Sequence, residues 1–167
     1  MKKLIIPVFL LILFGCAQDN FLPEEGNIYR RSDIESVVPD NVYGNWIVVS
    51  FVNNETGTTI VKGDVDTWGG LDVEIRFMND STFCGVNTTN SVCGHYTMSD
   101  SLLNIDVYGG TKVGQPEWGN MFSDVVYSIS SFRRSKTELR IYYDNGKRYI
   151  ELAPLRREVP CAWTYSK

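Results

Sequence analysis

Leu139-Arg140-Ile141-Tyr142-Tyr143-Asp144-Asn145-Gly146-Lys147-Arg148-Tyr149-Ile150-Glu151-Leu152 is the stretch on which the fold turns. Leu139, Ile141 and Tyr143 alternate with Arg140 and Tyr142, the period of a strand with one buried face. Asn145-Gly146 tolerates positive φ at both positions, so the chain is expected to reverse there and return as a second strand over 149–152. The same texture recurs upstream. Val73, Ile75 and Phe77 alternate with Asp72, Glu74 and Arg76, which places the second set on a wet face. Leu103, Ile105 and Val107 alternate likewise with Asn104, Asp106 and Tyr108. Residues 46–52 are rich in β-branched and aromatic side chains, and the turn cluster Asn53-Asn54-Glu55-Thr56-Gly57 leads from them into 58–61. One segment breaks the rhythm. Trp118, Met121, Phe122, Val125, Ile129 and Phe132 lie at helical spacing over 116–132, with Pro116 suited to a first turn and Ser128, Ser130 and Ser131 weakening the end. These patterns predict a mainly β domain: an antiparallel meander or barrel-like sheet of about seven or eight strands, with one late α-helix packed against it.

Working outward to the start of the chain, Lys2 and Lys3 precede the apolar run 4–14, and Gly15 precedes Cys16. A stretch this short falls below the ~20 residues needed to span a bilayer and reads as a secretory leader. Its close, Leu13-Phe14-Gly15-Cys16, resembles the bacterial lipobox, which implies removal of residues 1–15 and acylation of Cys16. Two or more acyl chains make a stable anchor. Ala17 stands where an aspartate would be the familiar inner-membrane retention signal, and Gln18-Asp19-Asn20 resembles lipoprotein surface-export signals. The expected location is therefore the outer membrane, facing the periplasm or the exterior. Residues 16–42, with Pro23, Pro39 and mixed charge, read as a lipidated N-terminus and flexible tether. Residues 43–155 read as the β domain and 156–167 as a C-terminal tail.

Loss of Lys2 and Lys3 takes the formal net charge two units below its value of −4, which argues against nucleic acid as a partner. With Cys16 acylated, Cys84, Cys93 and Cys161 remain, an odd number in an oxidising compartment. Cys84 and Cys93 flank a polar turn and are the favoured pair. A bridge from Cys161 to one of them is the rival, and it would pin the tail to the body.

Chemistry is sparsely marked. His95 is the single histidine, and Cys93-Gly94-His95 puts two donors on one strand face, with Cys84 across the turn. A disulfide beside a surface histidine accounts for the same residues, so no metal is expected. No Gly-x-Ser-x-Gly elbow or phosphate-cradling loop occurs, and Asp64, Asp66, Glu117 and Asp124 read as solvated carboxylates. No catalytic residue and no cofactor is assigned. The best binding candidate is Asp66-Thr67-Trp68-Gly69-Gly70, because core packing poorly explains a tryptophan in a glycine-bearing loop. Trp118 joins Trp68, Gly69 and Gly70 as a candidate.

Trp46, then Gly85-Val86-Asn87, Gly94-His95-Tyr96, Leu103-Asn104-Ile105, Thr111 and the helical segment occur in the order found in META/HslJ-like domains, which the chain resembles over about residues 43–155. That resemblance implies a compact β structure with a helix, common among envelope lipoproteins and linked to stress tolerance. Val86 stands where the family carries a cysteine before the asparagine, and Lys112-Val113-Gly114 lacks its second one. Gly44-Asn45-Trp46 also resembles the Gly-x-Trp opening of lipocalins, so small lipocalin-like lipoproteins are a cousin family. Read from the residues, Asn87 and Gly94 suit turn or left-handed positions, and Trp46 and Tyr96 suit plugs at a barrel end. The expected function is a non-catalytic, lipid-anchored envelope protein that binds a protein partner or supports envelope integrity. The alternatives are a carrier of a small apolar ligand, and an inhibitor acting through a loop bearing Cys84 to Cys93.

Overall fold

The computed structural model describes residues 40–162, so Cys16 and the leader lie outside the described residues. Nine antiparallel strands run in chain order: β1 Gly44–Asn53, β2 Thr59–Val61, β3 Val73–Phe77, β4 Thr82–Asn87, β5 Asn90–Ser99, β6 Leu102–Gly110, β7 Ile129–Arg134, β8 Leu139–Tyr143 and β9 Arg148–Pro154. A helix, α1 Glu117–Val125, continues as a 3₁₀ turn over Val126–Ser128 between β6 and β7. The sheet closes on itself because β1 pairs with β9 along one edge. Its other edge is shared, with β3 beside Gly44 to Ile47 and β2 beside Ser50 to Val52. The result is an up-and-down ring of eight strands plus the short β2, which matches the expected architecture.

The predicted hairpin is present: Ile141 faces Ile150, and Asp144, Asn145 and Gly146 all have positive φ. Elsewhere, bulges shift the alternation. The helix is shorter than its apolar spacing predicts, since Ile129 and Phe132 lie on β7. A register shift between Ile129 and Ser131 adds one residue, so two side chains three apart both face the core and imitate a helical repeat. A second shift opposite His95/Tyr96 leaves Asp106 unpaired and turns Tyr108, expected on the wet face, toward Phe83 and Phe122.

Trp46, Ile75, Phe83, Tyr96, Leu139 and Ile150 are among the side chains that fill the ring. Gly94 is not a turn residue. It sits mid-strand, and a Cβ there would lie 1.8 Å from the Val107 carbonyl oxygen and 2.7 Å from the Phe83 ring. Close backbone approach, rather than a left-handed conformation, requires the glycine. Asn87 likewise has ordinary strand geometry, and the positive φ belongs to Thr88.

The two ends are closed differently. At one, the Trp46 indole donates to the Val42 carbonyl at 2.8 Å beneath the Arg134 guanidinium. At the other, α1 lies across the opening, with Trp118 and Phe122 buried and Trp118 meeting Phe51 edge-on at 5.2 Å. The β6–β7 seam has a single described bridge pair, Leu102 with Ser131. Near the helix the Tyr127 hydroxyl spans it, donating to the Tyr108 carbonyl at 2.9 Å and accepting from the Tyr108 amide at 3.2 Å. A side chain thus satisfies backbone groups that a neighbouring strand would otherwise have paired.

The tail does not leave the domain at residue 155. Leu155 donates to the Asn45 carbonyl, Val159 is buried, and Arg157 pairs with Glu74. Glu74, expected to be wet, is 6% exposed beneath this segment. Cys161 is bonded to Cys84, with Cα atoms 5.4 Å apart, and Cys93 forms no disulfide among the described residues. This is the rival pairing, not the favoured one. Cys84 and Cys93 face each other in register on the outer surface, yet the returning tail reaches Cys84 and covers it.

Candidate functional site

The segment 109–115 leaves β6 and crosses to the start of α1, and a cleft of about 600 Å³ opens between it and the helix. Its walls carry amides and hydroxyls from Asn90, Thr111, Gln115, Asn120 and Ser123. Asn90 organises the crossing segment. Its Nδ2 donates to the Val113 carbonyl and to Gln115 Oε1, both at 2.9 Å, while Oδ1 accepts from Thr111 Oγ1 at 3.0 Å and the Val113 amide at 2.8 Å. Gln115 then donates to Asn120 Oδ1 and Ser123 Oγ. Interlocked amides of this kind hold their remaining donors and acceptors in place.

Behind the cleft, Asn87 is fully buried and its Nδ2 lies 2.7 Å from Ser123 Oγ and 3.0 Å from both Tyr108 Oη and the Gly119 carbonyl. Its Oδ1 has no hydrogen-bond partner among the described residues. A Cβ on Gly119 would sit 3.0 Å from that oxygen and 2.5 Å from Thr88 Oγ1, so glycine lets the helix seat directly on the β4–β5 turn. Burial pushes the Tyr108 phenol up from its usual range, against the opposing effect of its Ser123 and Asn87 contacts.

Trp68 stands at the rim. It is 53% exposed and has φ +42, a conformation that a bulky side chain rarely adopts. Its amide donates to Asp66 Oδ1 at 3.1 Å, and Gly70 and Leu71 both donate to the Thr67 carbonyl. The Asp66 carbonyl accepts from the Trp118 amide, which ties the loop to the helix start. The indole Cη2 comes within 3.5 Å of the position that a Gly114 Cβ would take, so the ring borders the cleft wall. Gly69 and Gly70, both at positive φ, shape the turn. Trp118, also a candidate, is fully buried and forms core, not surface.

A second cleft of about 530 Å³ lies on the other flank of α1, with Phe51, Ile60, Met121 and Val125 among its walls and Asp124 and Arg148 at its polar side. The remaining carboxylates do not gather there: Asp64 caps Val61 and Asp66 caps Trp68. Among the described residues, no three His, Cys, Asp or Glu side chains converge on a common point. Cys84 is committed to a disulfide, which removes it from the Cys84–Cys93–His95 set. Cys84 to Cys93 form barrel wall around a two-residue turn, with Thr88 buried, rather than an exposed loop.

Of the residues nominated from sequence, Trp68 lies exposed beside this cleft, whereas Asn90, Gln115, Asn120 and Ser123, which line it, carry no motif. The one local signal for the cleft was the glycine-bearing run Gly109-Gly110-Thr111-Lys112-Val113-Gly114.

No protein-family model matches the chain, and no curated protein matches it. Two solved structures are similar. One is a DUF4847 family protein from Bacteroides vulgatus, at 19% identity and TM-score 0.51, covering 69% of this chain and 94% of that one. The other is a protein from Burkholderia xenovorans, at 18% identity and TM-score 0.54, covering 78% of this chain and all of that one. At this identity the likeness shows the fold.

Proposed function

We propose that the protein is a non-catalytic binding module, held on the outer membrane through lipid on Cys16, that engages its partner at the helix end of the barrel. The observation that carries this reading is the pairing of a half-exposed, backbone-strained Trp68 with a pre-ordered cleft. Strain of this kind costs of order 1–3 kcal/mol and persists where the surroundings enforce it, commonly at ligand clamps. The lipobox resemblance supports the anchor. The META/HslJ-like resemblance remains part of the proposal and supports a role in envelope integrity.

A photo-crosslinking residue in place of Val113, which is 62% exposed beside the cleft, tests the module in living cells. The expected result is an adduct that disappears with Trp68→Ala and does not form from Leu102, which is 56% exposed at the opposite end. Absence of an adduct from position 113, or equal labelling from both positions, would reject the site. For the anchor, Cys16→Ala is expected to shift the protein from the membrane fraction to the soluble one, and full membrane retention would reject lipidation.

A second reading, the lipocalin-like carrier, draws on one observation: a closed eight-strand up-and-down ring whose first strand opens with Gly44-Asn45-Trp46. The core side chains and Trp118 occupy the ring interior, so a carried ligand would sit in one of the clefts beside α1.

A further inference from the structure

The chemistry of the helix-end cleft is specific enough to name a ligand class, given the binding-module reading on which this rests. We infer that the cleft and the Trp68 indole together form a glycan-binding site.

Charge narrows the choice first. The chain carries 20 acidic against 16 basic residues, yet the cleft lining contains no carboxylate and one cation, Lys112. A metal cation or a basic peptide finds no counter-charge there. A polyanion such as nucleic acid finds a single positive group within a net-negative chain. The complement of this surface is a neutral ligand, or one with a single negative charge.

Polarity narrows it further. Asn90, Thr111, Gln115, Asn120 and Ser123 supply both donors and acceptors, a mixture suited to hydroxyl groups, which do both. The network leaves capacity for a ligand: Asn120 Nδ2 makes one long contact of 3.5 Å to the Gln115 carbonyl. Because Asn90 and Gln115 already fix the segment 111–115, little ordering cost remains to be met on binding. A purely apolar ligand would strip these groups of water without replacing its hydrogen bonds.

Shape completes the identification. Trp68 is half-exposed with its indole beside Gly114 of the cleft wall, and Val113 adds exposed apolar surface next to Gly114. A pyranose ring has a C–H-bearing face that can lie on the electron-rich indole while its equatorial hydroxyls reach the amides. The cleft volume falls within the range of small-ligand sites.

The test uses the full chain in a zwitterionic detergent, titrated with cello-, malto-, xylo- and chito-oligosaccharides and with an oligogalacturonide. Binding is read by calorimetry and by the NMR shift of the Trp68 indole N–H. At least one oligosaccharide is expected to bind and move that resonance, with Trp68→Ala weakening it by about tenfold or more. Asn120→Ala is expected to weaken it by several-fold, and Trp68→Phe to retain part of the affinity. No binding by any of them at about 10 mM, or affinity unchanged in Trp68→Ala, would overturn the assignment. If position 113 still yields its Trp68-dependent adduct while every sugar fails, the module survives and the glycan assignment falls. If neither is seen, both fall.

Discussion

The Arg134 guanidinium lies 5.0 Å from the centroid of the Trp46 indole, joining the end of β7 to the start of β1 at the barrel end opposite the helix. The same guanidinium donates from Nη1 to the Asn41 carbonyl, Asn41 Oδ1 and the Tyr43 carbonyl at 3.0–3.1 Å. Arg134→Ala removes the cation–π contact and leaves those acceptors short of a donor. Destabilisation of about 2–3 kcal/mol is expected in urea unfolding. Arg134→Lys should recover less than half, because an ammonium cannot reproduce the planar fork.

The two candidate tryptophans should separate cleanly. Trp118→Ala empties a fully buried site against Phe51 and is expected to cost about 3–5 kcal/mol. Trp68→Ala, at an exposed position, should change stability by no more than about 0.5 kcal/mol. Paired chemical unfolding curves would show the contrast.

Gly119→Val drives a side chain into Thr88 Oγ1 and Asn87 Oδ1 and must lift the helix from the β4–β5 turn. A loss of about 1–3 kcal/mol is expected, the usual range for overpacking. The Asn87–Ser123 contact should loosen with it, which amide hydrogen exchange across α1 would detect.

Non-reducing peptide mapping is expected to find Cys84 joined to Cys161 and Cys93 open to alkylation. The bridge spans 77 residues of sequence, so Cys161→Ser should lower stability by about 2–4 kcal/mol in the oxidised protein. Recovery of a Cys84–Cys93 peptide instead would reject the tail's covalent attachment.

Alkaline pH should weaken the fold. Burial pushes the phenols of Tyr96, Tyr108 and Tyr143 upward, with Tyr43 and Asp80 adding to the effect at Tyr96. A raised folded-state value means that this stability is fully present below the unfolded tyrosine range, about pH 10, and is lost as pH climbs toward the folded values. Denaturation midpoints are expected to fall above about pH 10, and Tyr96→Phe should flatten that decline.

The strands were legible where hydrophobic alternation ran unbroken. Val73 to Phe77 and Leu139 to Tyr143 occupy the segments their spacing predicts. It was misleading where a bulge inserted one residue, because Ile129 and Phe132 then carry helical spacing on a strand, and Tyr108 changes face. Glu74 and Cys84 were obscured for another reason. Their environment is set by a tail more than 70 residues away in sequence, and no local pattern encodes its return.

Taken by itself, the amino-acid sequence determined the β class, the antiparallel hairpins, one late helix and the unusual position of Trp68, since each follows from local periodicity, turn chemistry or composition. Only the tertiary structure decided that the sheet closes between β1 and β9, that Cys161 takes Cys84, and that Asn90, Gln115, Asn120 and Ser123 line one cleft. Those outcomes depend on which surfaces meet across long stretches of chain. That is set by the summed burial of both faces of the wall and by the pairing of every buried polar group, quantities that no short window of residues contains.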